Sequence, residues 1–221
     1  MPQPLASARL DRDAPPLRQA AVERSLTSRY EGAETEVARL LDAAYRLIRQ
    51  GGTVELSLRD LLTEAGLANR SFYRHFATKD DFMLVLIEDL QGQLTAFLTE
   101  RMAREATPVG RVRTWVLGVL DQAADTDAAA LGRPFLVHGA RLRESVPEVY
   151  RTTGTAMLDL LTTAIAQAVE AGELHSDDPR ADARAVFHLA MSVMQSHVLD
   201  RTVPTQAERD AVLGFALRAL R

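Results

Sequence analysis

Apolar residues recur at helical spacing along most of the chain. The first clear stripe predicts an amphipathic helix over residues 34–50, which Gly51 and Gly52 end. Comparable stripes predict further helices at about 80–104, 108–124, 127–141, 145–172, 179–199 and 205–220. Two short helices fit between residues 50 and 80, and no strand pattern stands out. The chain is therefore expected to be all-α, with about nine helices.

Residues 57–76 have the spacing of two short helices joined by a tight turn. Ser57 can cap a helix that begins at Leu58, and Asp60 completes the capping-box spacing. Gly66 suits the left-handed position that ends such a helix, and the next helix follows at once. A helix, a short turn with glycine and a second helix with polar groups near its N-terminus form a helix-turn-helix by spacing.

The second short helix, residues 69–76, separates apolar from polar side chains. Phe72 and Phe76 are four residues apart and are expected to point inward together. The other side chains carry groups that bind base edges and phosphates, without any acid: Asn69, Arg70, Ser71, Tyr73, Arg74 and His75. The pattern favours a DNA-reading helix, although a surface helix with two apolar anchors would show the same pattern.

Three motifs in this region resemble the signature of the TetR family of bacterial transcriptional regulators. They are Gly66-Leu67-Ala68, Phe72-Tyr73-Arg74-His75-Phe76 and Lys79-Asp80-Asp81-Phe82, and the resemblance runs from about Val37 to Phe82. The rest of the chain resembles that family only in its helical layout.

The resemblance implies a DNA-binding surface that includes Lys79, the only lysine in the chain, as a phosphate contact. The full expected set is Ser57, Asn69, Arg70, Ser71, Tyr73, Arg74, His75 and Lys79. The chain departs from the family at Ala68, where Ser or Thr is common. Asn69 is an alternative helix cap there, and in that role it would not read bases.

Composition limits where a nucleic-acid site can lie. The net charge of the 221-residue chain is −4 and its isoelectric point is near 5.8, so any basic surface must be local. There is no cysteine, which excludes disulfides and thiol chemistry. No apolar run approaches the roughly 20 residues of a membrane span, and no signal pattern opens the chain, so a cytoplasmic protein is expected.

Three segments follow from these patterns. Residues 1–33, rich in Pro, Ala and Ser, are expected to form a flexible N-terminal arm. This arm has either no role or arginines that reach DNA. Residues 34–80 would form a three-helix DNA-binding domain, and residues 81–221 a helical domain for effector binding and dimerisation. The helix from Asp80 to about Arg104 begins in the first domain and enters the second, which makes it the natural lever between them.

The last two predicted helices, at about 179–199 and 205–220, carry more apolar surface than one packed side requires. We expect them to pair with their copies across a two-fold axis, as the resemblance also implies; completion of the monomer core is the alternative. A dimer of this kind would read a palindromic operator in double-stranded DNA.

Aromatic and methionine residues in the middle helices are candidates for an effector pocket. They are Phe97, Trp115, Phe135, His138, Met157, Leu161, Phe187, Met191 and Met194. Such side chains suit an adaptable apolar cavity, although each one taken singly is equally typical of ordinary core.

The sequence thus favours a ligand-responsive DNA-binding regulator that acts as a repressor and is released by a small apolar or amphipathic effector. An activator and a helical interaction protein without DNA binding are the alternatives. An enzyme is disfavoured, because the chain has no nucleophile elbow, phosphate loop or zinc-binding helix motif. Neither a cofactor nor a metal is expected.

Overall fold

The computed structural model describes residues 17–137 and 155–221, and it describes side chains from residue 32 onward. Helices and no strands occur in these ranges. They are α1 (Leu17–Gly51), α2 (Leu58–Ala65), α3 (Asn69–His75), α4 (Lys79–Met102), α5 (Pro108–Ala124), α6 (Thr126–Val137), α7 (Thr155–Glu170), α8 (Pro179–Asp200) and α9 (Gln206–Ala219). The all-α fold expected from the sequence is confirmed. None of these helices combines the length and apolar character that a membrane crossing requires.

The first helix begins much earlier than the sequence analysis expected. α1 is 35 residues long and starts at Leu17, so residues 17–33, which the sequence analysis assigned to an arm, are helical. Alanine and other good helix formers follow Leu17, and extending an existing helix costs far less than nucleating one. Pro15 and Pro16 precede that start, but residues 1–16 lie outside the described ranges, as do residues 138–154.

Several helix starts expected from the sequence are confirmed by their caps. Ser57 accepts a hydrogen bond from the Asp60 amide at the start of α2. Thr78 and Asp81 form a reciprocal capping box on α4, and Thr205 forms one on α9. These side chains bond backbone amides that have no partner within the helix, so each start is set locally.

The first of two apolar cores joins α1, α2, α3 and the N-terminal half of α4. Its centre is aromatic: the ring centroids of Phe72 and Phe76 are 5.3 Å apart, and Phe82 lies 5.8 Å from Phe72. Leu131 and Phe135 of α6 enter the same core. The three-helix domain is therefore packed against part of the C-terminal domain.

The second core surrounds α5, which packs against α4, α7, α8 and α9. Trp115 is fully buried there and donates a hydrogen bond to the Met157 carbonyl of α7 at 3.1 Å. The bond satisfies the polar edge of a large apolar side chain, so it fixes α5 against α7.

One helix, α4, contributes to both cores. Phe82 and Leu86 are buried in the first core, whereas Leu98 and Met102 are buried in the second. A continuous 24-residue helix thus connects the two parts of the protein.

Two glycines allow a direct test of the turn between α2 and α3. Gly66 has φ +63°, and a Cβ atom there would lie 2.9 Å from the Arg39 side chain. Gly66→Ala should therefore lower the free energy of unfolding by about 1–2 kcal/mol. Gly92 lies in the interior of α4 with open space around it, so Gly92→Ala should raise that free energy by about 0.5–1 kcal/mol. Urea denaturation measures both, and two changes of the same sign would contradict this account.

Candidate nucleic-acid interface

The turn that precedes α3 is held from both sides. The Gly66 amide bonds the carbonyls of Leu62 and Thr63, and the Leu67 amide also bonds Leu62. Arg39 of α1 donates to the carbonyls of Ala65 and Gly66 at 2.6 and 3.0 Å. The turn therefore has a fixed geometry relative to α1. The role of Arg39 was not foreseen from the sequence, because the two ends of this contact are 26 residues apart.

The outer face of α3 presents most of the expected side chains. Phe72 is buried, and the side chains of Asn69, Arg70 and Tyr73 are exposed, Tyr73 to 55%. Ala68 is the N-cap residue and Asn69 is the first helical residue. Asn69 is therefore not the cap, and its amide lies on the exposed surface beside Arg70.

The C-terminal end of α3 is tied to α1 through Glu36. Nε2 of His75 lies 2.8 Å from a Glu36 carboxylate oxygen, and Arg74 lies 3.7 Å from the other oxygen. Arg74 also donates to Ser71 at 3.3 Å. The His75 side chain is only 10% exposed, so the structure turns it towards α1 instead of placing it with the other expected contacts.

The same pair changes the acidity of Glu36. The hydrogen bond from His75, aided by the charge of Arg74, holds the pKa of Glu36 below its usual value of 4.5. Glu36 therefore remains a carboxylate and anchors α3 to α1. This contact was not foreseen in the sequence analysis, because it joins residues 39 positions apart.

Lys79 and Ser57 lie at the starts of other helices. Lys79 is the first residue of α4 and is exposed beside the Thr78 capping box. Ser57 is the exposed N-cap of α2, and its hydroxyl oxygen accepts a hydrogen bond from the backbone amide of Asp60. Helix N-termini carry partial positive charge, so both positions favour contact with an anionic phosphate.

The candidate effector residues do not form one site. Trp115, Met157, Leu161 and Met194 are buried in the second core, with Phe187 and Met191 packed against them. Phe97 is 38% exposed under the Arg101 guanidinium, and Phe135 lies in the first core. His138 lies outside the residues that the structure describes. Among the residues described, this set is mostly close-packed interior.

A rigid helix-turn-helix with an exposed polar reading face, joined to a helical domain, defines a DNA-binding transcriptional regulator. Residues 40–86 match the family model described as bacterial regulatory proteins, tetR family. The N-terminal part of the chain therefore has the DNA-binding region of this family, as its motifs indicated.

Known proteins are similar to this chain in sequence or fold over most of its length. The HTH-type transcriptional regulator TtgR of Pseudomonas putida is 25% identical over 167 residues, which cover 71% of this chain and 77% of TtgR. E. coli NemR in its reduced form has a similar fold, with a TM-score of 0.68, 20% identity and coverage of 84% and 98%. FadR from Bacillus subtilis in complex with stearoyl-CoA gives a TM-score of 0.64 at 20% identity, with coverage of 83% and 99%.

The lowered pKa of Glu36 predicts a specific dependence of stability on pH. The stabilisation from its carboxylate should be complete at neutral pH and should be lost as the pH falls below 4.5, through the folded-state pKa. Glu36→Gln should therefore be less stable than wild type at neutral pH, and the difference should shrink on acidification.

Urea denaturation across this pH range measures the effect. Glu34→Gln, at an exposed position on the same helix, is the control. If the Glu36→Gln difference is independent of pH, the carboxylate of Glu36 does not anchor α3.

Proposed function

We propose that this protein is a ligand-responsive repressor that binds a palindromic operator as a homodimer and releases it when a small effector binds. The observation that carries the proposal is the outer face of α3, where Asn69, Arg70 and Tyr73 are exposed on a helix anchored by Phe72. Arginine and asparagine pair with guanine and adenine edges in the major groove. Because α3 is anchored at both ends, these groups are positioned before DNA arrives.

Phosphate contacts from neighbouring helices would fix the register of α3 on the duplex. Lys79 and Ser57 are the candidates, since each lies exposed at a helix N-terminus. Arg74 is a third candidate, although its guanidinium already forms an ion pair with the Glu36 carboxylate at 3.7 Å. His75 is better assigned a structural role, because its side chain faces Glu36.

Homodimerisation through α8 and α9 is supported by the apolar side chains that these helices leave uncovered. Phe215 of α9 is 59% exposed, and Leu199 near the end of α8 is 39% exposed. Exposed apolar side chains of this size are typical of protein interfaces. Two copies would place their α3 helices about 34–36 Å apart, which is one helical turn of DNA.

Coupling between effector and DNA would run through α4 and its contacts. The carboxylate of Asp121 in α5 forms two ion pairs. One oxygen lies 2.7 Å from the Arg101 guanidinium of α4, and the other lies 2.5 Å from the Arg209 guanidinium of α9. One carboxylate therefore links the lever helix to a helix of the proposed dimer interface. An effector that favours a different position of α4 would change the spacing of the two reading heads, and only its differential affinity for the two states does this. The proposal places the protein in the cytoplasm, where it meets DNA.

The test is selection of bound fragments from a random DNA pool with the purified full-length protein, followed by sequencing. Enrichment of an inverted repeat supports a dimeric reader and yields the operator. If no sequence is enriched even at low salt, the protein is not a sequence-specific DNA reader and the interaction-protein alternative leads.

Once the operator is known, side chains that contact bases can be distinguished from side chains that contact only the phosphate backbone. Arg70→Ala should cost about 1–3 kcal/mol at one base pair and little elsewhere, because a guanine contact discriminates bases. Lys79→Ala should weaken binding to every sequence and reduce the slope of log K against log salt by about 0.9, because one phosphate contact is lost. Fluorescence anisotropy on operator and scrambled DNA measures both. Arg104→Ala, two residues beyond the far end of α4, is the control. An equal loss for Arg70→Ala on all sequences would assign Arg70 to phosphate binding.

The dimer interface has its own test. Phe215→Glu should shift the protein from dimer to monomer in sedimentation velocity and weaken operator binding, because a buried charge would have to lose its hydration at the interface. Val137→Glu places the same charge on an equally exposed valine of α6 and should leave the mass unchanged. A Phe215→Glu protein that remains dimeric would remove α9 from the interface.

A further inference from the structure

A cleft of about 730 Å³ opens between α4, α5 and α7. It falls within the size range of small-molecule sites, roughly 300–1,000 Å³. None of the eight candidate effector residues that lie within the described ranges lines it. The cleft lies at the edge of the second core, which contributes Met102 and Ala164 to its wall.

Most of the cleft wall is apolar or weakly polar. Met102 of α4 and Leu160 and Ala164 of α7 supply apolar surface. Thr95 and Thr99 also line it, but their hydroxyls already donate to carbonyls of α4 and can only accept a bond from a ligand. This wall suits the hydrocarbon part of an amphipathic molecule.

Arg111 of α5 is the cation of the cleft, and its hydrogen-bonding capacity is only partly used. One guanidinium nitrogen donates to Gln167 of α7 at 2.8 Å, whereas Nε is buried with no partner. Within residues 32–137 and 155–221, no carboxylate lies within ion-pair distance of Arg111. Asp159, the acid that lines the cleft, is exposed and pairs with Arg180 instead.

An uncompensated guanidinium beside an apolar wall is poorly satisfied without an anion. Its fork matches a carboxylate bidentately, and the low polarity of the surroundings strengthens the pairing. Gln167 is neutral, so it orients the fork without neutralising it.

We propose that this cleft is the effector site and that the effector is an amphipathic molecule with one anionic group bound by Arg111. The inference rests on the proposed ligand-responsive function and adds the chemical class of the ligand. The anionic group bonds Arg111 beside Gln167, and the apolar body covers Met102 and Leu160.

The position of the cleft explains how occupancy reaches the DNA-binding surface. The α4 residues that line it begin at Thr95, about 24 Å along the helix from Lys79. An effector that wedges α4 away from α7 displaces the helix that carries Lys79. The differential affinity for the two positions of α4 then weakens operator binding.

Trp115 offers a direct readout. It is the only tryptophan, it lies one helical turn after Arg111, and it bonds the carbonyl of Met157 beside the cleft-lining Ala156. Its fluorescence in the full-length protein should respond saturably to dodecanoate, below the concentration at which this probe forms micelles. Dodecanol and dodecyltrimethylammonium have the same chain without the negative charge and should bind at least about tenfold more weakly.

Variants assign the preference to one residue. Arg111→Gln should bind dodecanoate at least about tenfold more weakly and leave dodecanol binding unchanged, because only the charged contact is lost. Arg113→Gln removes an exposed arginine from the same helix and should behave as wild type. If Arg111→Gln fails to fold, as judged by circular dichroism, then Arg111→Lys and the three probes on wild-type protein decide the question.

The outcomes separate this inference from the proposed function. Equal affinity for the three probes, no binding of dodecanoate, or a preference that survives Arg111→Gln would each overturn the anionic effector site. Dodecanoate should also release the selected operator from wild-type protein and not from Arg111→Gln, which should bind that operator normally. If wild-type protein selects no operator, the regulator proposal fails while the fluorescence result still decides the ligand class.

Discussion

The structure depends on one continuous helix, α4, whose two halves are buried in different cores. Phe82 and Leu86 fix its N-terminal half to the DNA-binding domain, whereas Leu98 and Met102 fix its C-terminal half to α5. The two buried faces are rotated by roughly 160°, nearly half a turn, because 16 residues separate them at about 100° per residue. Neither half can move alone without breaking the helix or leaving its core. The helix therefore connects the second core to Lys79 at its other end without a break.

The reading helix itself depends on contacts from other helices. α3 has seven residues and no side-chain cap, so it would not be stable alone. Its aromatic inner face packs on α4, and Arg39 and Glu36 of α1 hold the preceding turn and its C-terminal end. Rigidity here has a functional value, because base recognition requires side chains that are already in position. The outer face can then be rich in polar groups at little cost in stability.

The C-terminal domain combines a dense core with an open cleft. Trp115 and its buried neighbours fill the centre of the domain. Beside this core, the cleft opens between α4, α5 and α7. Asp121 of α5 forms ion pairs with Arg101 of α4 and Arg209 of α9, whereas Met102 of α4 supplies apolar surface at the cleft. The helix α4 is thus held to α5 by a charged contact as well as by the apolar contacts of the second core.

Local chemistry made much of the fold readable from the sequence. Caps at Ser57, Thr78 and Thr205, the glycine turn and the spacing of Phe72 and Phe76 act over a few residues, so periodicity and side-chain type suffice to predict the helices and the exposed face of α3. The start of α1 was missed because helix propagation needs no sharp signal.

Contacts between distant residues were decided only by the tertiary structure. Sequence spacing could not pair Glu36 with His75, or reveal that Phe135 joins the first core and Trp115 the second. Nor could it place Arg111 on a cleft, since the same residue pattern describes a packed interior and a pocket wall. The physical reason is that periodicity specifies which face of a helix is apolar, whereas the crossing of several helices determines what that face meets.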